Sequence, residues 1–175
     1  MTELAENYVP VSLQVEFRRQ ALRVWMATTA VLLLWLGAIV LAPLLAPSGL
    51  STSIYTFFSY ICHQIPDRSL HLAGHQLGVC SRCLGVYFGL LAGVVVYPLW
   101  RRIEENEPIS RFWLFASLIP ISIDWSLTVF GIWENTHLSR FVTGLILGLA
   151  CATFIVPAVV DIARNLSQRK KRTAS

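Results

Sequence analysis

Most of the residues that could carry chemistry lie in one short stretch of the chain. Three of the four cysteines and three of the four histidines in the 175-residue sequence fall within 22 residues. The stretch contains Cys62, His63, Arg68, His71, His75, Cys80, Arg82 and Cys83. Clustering of this kind predicts one site built from thiols and imidazoles.

A metal site is the first chemistry that these residue types suggest. Thiolate and imidazole ligands together suit zinc, which takes four protein ligands at structural sites and three plus water at catalytic ones. Cys80 and Cys83 have the two-residue spacing of a paired metal hook. We predict Cys62, Cys80 and Cys83 as ligands, with His63 or His75 as the fourth. Zinc is the expected metal; iron, copper or no metal are the alternatives.

Two other interpretations of the cysteines stay open. Cys80 and Cys83 lie at the start of a predicted helix, whose dipole lowers the pKa of a thiol, so the pair could be redox-active. Such enzymes usually need a second cysteine pair, and here Cys62 stands alone. A structural disulfide would also leave one cysteine over. Covalent c-type haem is excluded, because Leu84 and not histidine follows Cys83.

Asp124 is the residue elsewhere in the chain that is most expected to join this site. It lies inside a predicted membrane span, where an unpaired acid costs several kcal/mol (about 3 on insertion scales) and therefore marks function by default. We name Asp124, His75 and Arg82 as candidate catalytic residues, with Asp124 as general base or as a residue that orients a ligand. The alternative is that Asp124 is a structural partner of an arginine.

A second group of polar residues could bind an anion. Arginine forks bind phosphate or carboxylate through parallel hydrogen bonds. Arg68, Arg140 and Asn135 are therefore predicted to hold a lipid phosphate or another anionic substrate. The net charge of +4 comes mostly from the chain ends and one turn, so nucleic-acid binding is not expected.

The composition identifies the class of protein that positions these residues. Hydrophobic residues make up 55% of the chain and charged residues 14%, whereas a soluble domain has roughly 25% charged residues. Disordered chains, coiled coils and secreted disulfide scaffolds are excluded. The six tryptophans and nine phenylalanines suit the interfacial belts of a membrane protein.

Four segments reach the roughly 20 apolar residues that a spanning helix needs. They are about residues 24–46, 79–100, 112–132 and 141–160. The predicted fold class is all-α, an integral membrane bundle of four transmembrane helices in a single domain, 24–160. The first span is too long for the apolar region of a cleaved signal. Pro120 is expected to kink the third span.

The segment Leu50–Ile61 is apolar but too short to cross a bilayer. It predicts a short re-entrant or interfacial helix within the loop 47–83, and Ser51, Thr52 and Ser53 are candidates for its N-cap.

The distribution of lysine and arginine predicts the orientation of the chain. Eleven of these residues flank the spans on one side and three lie on the other. The positive-inside rule then places both termini in the cytoplasm and the loop 47–83 outside, with a bacterial inner membrane as the expected location. Residues 1–23 become a cytoplasmic amphipathic arm, with Val11–Arg23 on the membrane surface, and residues 161–175 a basic cytoplasmic tail.

Glycines recur every fourth residue on two of the predicted spans. The second span carries Gly85, Gly89 and Gly93, and the fourth carries Gly144 and Gly148. Small residues at this spacing allow two helices to approach closely. We predict a tight contact between these spans, either within one chain or between the chains of a homo-oligomer.

The residues of the cluster form two motifs, Cys62-His63-Gln64-x-Pro66-x-Arg68-Ser69 and Cys80-x-Arg82-Cys83-x-Gly85-x-Tyr87-x-Gly89. Further matches are Ile123-Asp124 and Arg140-x-x-Thr143-Gly144-x-x-x-Gly148. Together they resemble a prokaryotic membrane family of unknown function, domain-of-unknown-function family 2085. The resemblance covers about Tyr55 to Pro157. It implies a small multi-pass helical membrane protein and supplies no activity.

The sequence therefore predicts a small membrane protein with a Cys/His metal site near its outer face that acts on a lipid-borne or anionic substrate. One alternative is a membrane thiol–disulfide oxidoreductase that uses Cys80 and Cys83. The other is a non-enzymatic partner subunit of another membrane protein. The sequence leaves open whether the protein is an enzyme.

Overall fold

The computed structural model describes residues 11–103 and 109–173, most of them helical. The helices are α1 Val11–Leu44, α2 Gly49–Ser59, α3 Ser81–Trp100, α4 Arg111–Ala116, α5 Leu118–Val129 and α6 His137–Thr173. The loop between α2 and α3 contains a 3₁₀ turn, Pro66–Arg68, and an antiparallel hairpin of β1 His71–Leu72 and β2 His75–Gln76. The first ten residues of the predicted arm and the last two of the predicted tail lie outside the described residues.

Four of the described segments are long and apolar enough to cross a membrane. They are Gln14–Leu44, Ser81–Trp100, Arg111–Val129 and His137–Arg169. The prediction of an all-α bundle with four spans is thus confirmed. Successive spans run in opposite directions, so residues 45–80 and 130–136 lie at one end of the bundle, which we call the loop end. The opposite end, which carries Val11 and Thr173, the first and last described residues, is the terminal end.

Helices α3 and α6 run parallel and pack against each other through the predicted glycine stripes. A Cβ atom added to Gly85 or Gly89 would lie closer than 3.0 Å to the carbonyl oxygen of Phe141 or Leu145, respectively. On the facing helix, a Cβ at Gly144 would meet the backbone of Arg82 equally closely. The predicted tight contact is therefore formed within the chain, and an association of two chains through these stripes would have to open it.

The first helix extends well beyond the predicted span. Val11–Arg23, predicted as a separate surface helix, continues into the rest of α1 without a break. The Gln20 side chain donates hydrogen bonds to the carbonyl of Ala163 at 2.9 Å and to the hydroxyl of Ser167 at 2.7 Å. This segment therefore packs along the terminal end of α6.

The third span is interrupted at Ser117, between α4 and α5. Pro120 has no backbone N–H to donate to the carbonyl of Ala116, and its ring crowds that carbonyl, so a regular helix cannot continue there. Ser117 donates its backbone N–H to Trp113 and its hydroxyl to Leu114, at 3.0 and 2.7 Å. The break between α4 and α5 lies three residues before Pro120, the residue from which the sequence predicts a kink.

Helix α2 has a different cap from the predicted one. The side chain of Ser48 accepts a hydrogen bond from the backbone N–H of Ser51 at 3.2 Å, so the N-cap is Ser48. Ser51 is buried and donates its hydroxyl to the carbonyl of Ala42 at 2.7 Å. That bond satisfies a carbonyl near the end of α1 and fastens the short helix to it.

We expect Gly89→Ala to destabilise the bundle, because the added methyl group meets a backbone carbonyl that cannot move by changing a rotamer. Overpacking of this kind costs about 1–3 kcal/mol. The apparent melting temperature in detergent should fall by several degrees. Gly37→Ala is the matched control, since nothing lies within 4 Å of a Cβ there. An equal melting temperature for the two variants would contradict the prediction.

Candidate metal centre and adjoining cavity

Three cysteines converge at the loop end of the bundle. The Sγ atoms of Cys62, Cys80 and Cys83 all lie within 4.8 Å of one another, and all three are free thiols. Cys80 is the N-cap of α3, and Cys83 lies one turn further on the same face. Cys62 comes from the chain just after α2 and is 5% exposed. The predicted grouping of these three residues is what the fold produces.

The chain that carries Cys62 is held in place by Gln64, a residue that the sequence did not single out for a role. Gln64 has a positive φ of 47°. Its side-chain amide donates to the carbonyls of Tyr55 at 2.9 Å and Gly78 at 2.7 Å. The Tyr55 hydroxyl in turn donates to the carbonyl of Gln76, and burial raises the pKa of Tyr55. Gln64 thereby connects α2 to the segment that leads into Cys80.

Hydrogen bonds at sulfur favour the thiolate form of Cys80. The backbone N–H of Cys80 donates to the Sγ of Cys62 at 3.2 Å. Hydrogen bonding to the side chain of Cys62, followed by that to Cys83, lowers the pKa of Cys80 well below its usual range. Thiolate is the form of cysteine that binds metals and acts as a nucleophile.

The histidines proposed as a fourth ligand lie in less enclosed positions. His63 is exposed and follows Cys62 directly, and His75 is exposed in β2. In the described part of the chain, the group of ligand atoms within 4.8 Å contains the three thiols and no ring nitrogen. His137 begins α6, and its Nδ1 lies 2.8 Å from the Ser81 hydroxyl. That contact links the starts of α3 and α6.

Asp124 forms an ion pair with Arg82. The side chain of Asp124 is only 10% exposed. Asn135 donates its amide to the Oδ2 atom of Asp124 at 2.6 Å and to its backbone carbonyl at 2.8 Å. The Asn135 carbonyl oxygen accepts from the Thr128 hydroxyl and, at 3.2 Å, from Arg140. Asp124 therefore has an arginine partner, as its alternative, structural role predicts. The pairing favours a positioning role over proton transfer.

A cavity of about 440 Å³ adjoins the cysteines and the polar network. Its lining comes from the loop after α2, the start of α3, α5 and the start of α6. The lining residues with polar or ionisable side chains are Cys62, His63, Gln64, Arg68, Cys80, Arg82, Cys83, Thr128, Asn135 and Arg140. The fold therefore gathers most of the predicted site residues around one space, with His75 and Asp124 outside its lining.

These features define a four-span helical membrane protein with a thiol cluster beside a cationic cavity. The family described as "Predicted membrane protein (DUF2085)" matches residues 62–154, and the chain belongs to that family. The matched range begins at Cys62 and includes every residue of the cavity except Ile61.

Two relatives are also uncharacterized proteins. Uncharacterized protein MJ1492 of Methanocaldococcus jannaschii is 34% identical over 113 residues, which cover 65% of this chain and 72% of the relative. A protein of Methanothermobacter thermautotrophicus is 36% identical over 97 residues, 54% of this chain and 84% of the relative. No solved structure matches. Both organisms are archaea, so these relatives do not support the expected bacterial inner membrane.

Asp124→Asn should destabilise the protein, because it leaves the guanidinium of Arg82 partly buried without a counter-charge. Breaking one side of a buried ion pair costs about 3–5 kcal/mol, and partial exposure of Arg82 places the cost at or below the lower end. Thermal unfolding in detergent would measure the loss. Glu134→Gln, which neutralises an exposed acid near Asn135, should change little. In a double-mutant cycle, Arg82→Gln with Asp124→Asn should cost less than the two single changes added together. Strict additivity would contradict the coupling.

Proposed function

We propose that Cys62, Cys80 and Cys83 hold one zinc ion at the loop end of the bundle. The observation that carries the proposal is the convergence of three free thiols within 4.8 Å, although Cys62 lies 18 residues before Cys80 in the sequence. Thiolates bound to one zinc at about 2.3 Å stand about 3.8 Å apart in a tetrahedron. The three sulfurs need only small movements to reach that spacing.

The surroundings of the sulfurs suit a bound metal. The backbone N–H of Cys80 lies 3.2 Å from the Sγ of Cys62, and the lowered pKa of Cys80 favours the thiolate form that a metal requires. A zinc site with three protein ligands would keep a fourth position for water or substrate, and the metal would act there as a Lewis acid. His63 and His75 are the candidates for a protein ligand at that position, which would make the site structural.

An open fourth position would make hydrolysis or group transfer on an anionic, lipid-borne substrate the expected reaction class. Arg68, Arg140 and Asn135 line the space beside the thiols and supply the hydrogen-bond donors for an anion. Arg82, held by Asp124, fixes one side of that space. The role of His75 as a catalytic residue is a weaker part of the proposal, because it lies outside the cavity lining.

The proposal includes an orientation. The excess of lysine and arginine at the terminal end supports a cytoplasmic location for both termini and an outward-facing loop end. The zinc site would then lie near the outer face of the cell membrane.

A thiol–disulfide oxidoreductase is the second candidate function, and one observation favours it. Cys80 caps α3 and Cys83 lies in its first turn, the arrangement in which a helix dipole activates a thiol. A non-enzymatic role as a partner subunit is the third. It predicts stable co-purification with another membrane protein.

The metal content of the purified protein distinguishes these functions. Wild type should contain about one zinc per chain with reduced cysteines, and Cys80→Ser or Cys83→Ser should lose most of it, because two thiolates bind zinc far more weakly than three. Cys151→Ser is the matched control, since this thiol lies in α6 outside the cluster. Zinc that stays stoichiometric in the Cys80 and Cys83 variants would overturn the proposal.

Counting free thiols on the same samples tests the oxidoreductase. That function predicts that two thiols per chain disappear on oxidation and return on reduction, and that the change is lost in Cys83→Ser. A zinc protein predicts an unchanged thiol count until the metal is removed with a chelator.

A further inference from the structure

The lining of the cavity beside the cysteines contains two chemically different sets of residues, which we call the cationic side and the apolar side. The cationic side consists of Arg68, Arg82 and Arg140. The other is apolar and includes Trp125 and Val129, which are 58% and 57% exposed. A ligand that fits both sides carries an anionic group and a hydrocarbon portion.

The positive charge of the cavity exceeds its negative charge. Three guanidinium groups line the cavity, and Asp124 forms an ion pair with one of them, that of Arg82. Within the described chain, the buried Nε of Arg82 has no hydrogen-bond partner. Arg140 donates to the neutral amide oxygen of Asn135. Guanidinium groups with unused donors bind phosphate in two-pronged geometry.

The apolar side lies on a membrane span. Trp125 and Val129 belong to α5, one turn apart on the same face, within the span Arg111–Val129. Ile61, 48% exposed, adds to this side from the end of α2. Exposed apolar side chains on a spanning helix face lipid tails, and tryptophan near a span end marks the headgroup level. The cavity is therefore placed where a lipid headgroup would meet the arginines.

We propose that this cavity binds the phosphate headgroup of an anionic membrane lipid. The phosphate lies against Arg68, Arg82 and Arg140, and the hydrocarbon chains run along Ile61, Trp125 and Val129. A volume of about 440 Å³ accommodates a headgroup and leaves the chains in the bilayer. The inference rests on the proposed function, because it names the substrate class that would reach the zinc.

The test uses the full chain, stripped of lipid in detergent and titrated with phosphatidic acid or with phosphatidylcholine of the same chains. Native mass spectrometry counts the bound lipid. Wild type should bind phosphatidic acid at least tenfold more tightly than phosphatidylcholine. Arg68→Gln with Arg140→Gln should reduce this preference about tenfold or more. Arg102→Gln with Arg111→Gln removes the same charge at the terminal end and should keep the preference.

Two results would overturn the inference. One is an equal loss of preference in both double variants, which would indicate a general charge effect. The other is displacement of the lipid by inorganic phosphate at equal concentration, which would show that the hydrocarbon side contributes nothing. Trp125→Ala adds an independent check, since it should weaken phosphatidic acid binding while leaving the zinc content unchanged.

Zinc is measured on the same samples, so the two proposals fail separately. A lipid preference that depends on Arg68 and Arg140 in a protein without zinc would support this inference and overturn the zinc site. Stoichiometric zinc, together with a lipid preference that the Arg68 and Arg140 variants leave unchanged, would support the zinc site and overturn this inference.

Discussion

The close approach of α3 and α6 is the constraint on which the site depends. Glycines on both helices bring the two backbones into contact, so that Gly144 lies against the backbone of Arg82. Because the helices are parallel, their first turns lie side by side at the loop end. That placement brings Arg82 and Cys83 next to the residues that precede and begin α6. A side chain in either stripe would separate the two helices and, with them, the polar groups that meet above the contact.

The polar network around Asp124 is the second element that organises the bundle. A carboxylate and a guanidinium in a membrane span are tolerated only when they satisfy each other and the neighbouring dipoles. Here the ion pair joins α3 to α5, and Asn135 joins α5 to the chain before α6. Three spans are thus connected at the depth of the cavity. The paired charges offset the cost of their burial, and the same contacts hold Arg82 and Asn135 beside the thiols.

The sequence predicted the parts of this structure that depend on local pattern. The lengths of the apolar runs predicted the spans, the four-residue glycine period predicted the α3–α6 contact, and the clustering of Cys62, Cys80 and Cys83 in the sequence predicted one group of thiols. The resemblance to the family was also correct. Gln64 lies within a quoted motif, but its role depends on carbonyls of Tyr55 and Gly78 that only the folded loop brings together. The Ser48 cap likewise depends on where α1 ends.

The lengths of α1 and α6 place a paired helical segment beyond the membrane. Helix α6 has 37 residues, about 55 Å at 1.5 Å per residue, whereas the hydrocarbon core is about 30 Å thick. Gln20 and the cation–π contact of Arg164 with Phe17, at 5.3 Å, bind the projecting parts of α1 and α6 together. Helix α6 begins at the loop end with His137, whose ring contacts Ser81 at the start of α3, and it continues without a break past Pro157 to the projecting pair. One helix thus connects the surroundings of the cavity with the paired segment at the terminal end.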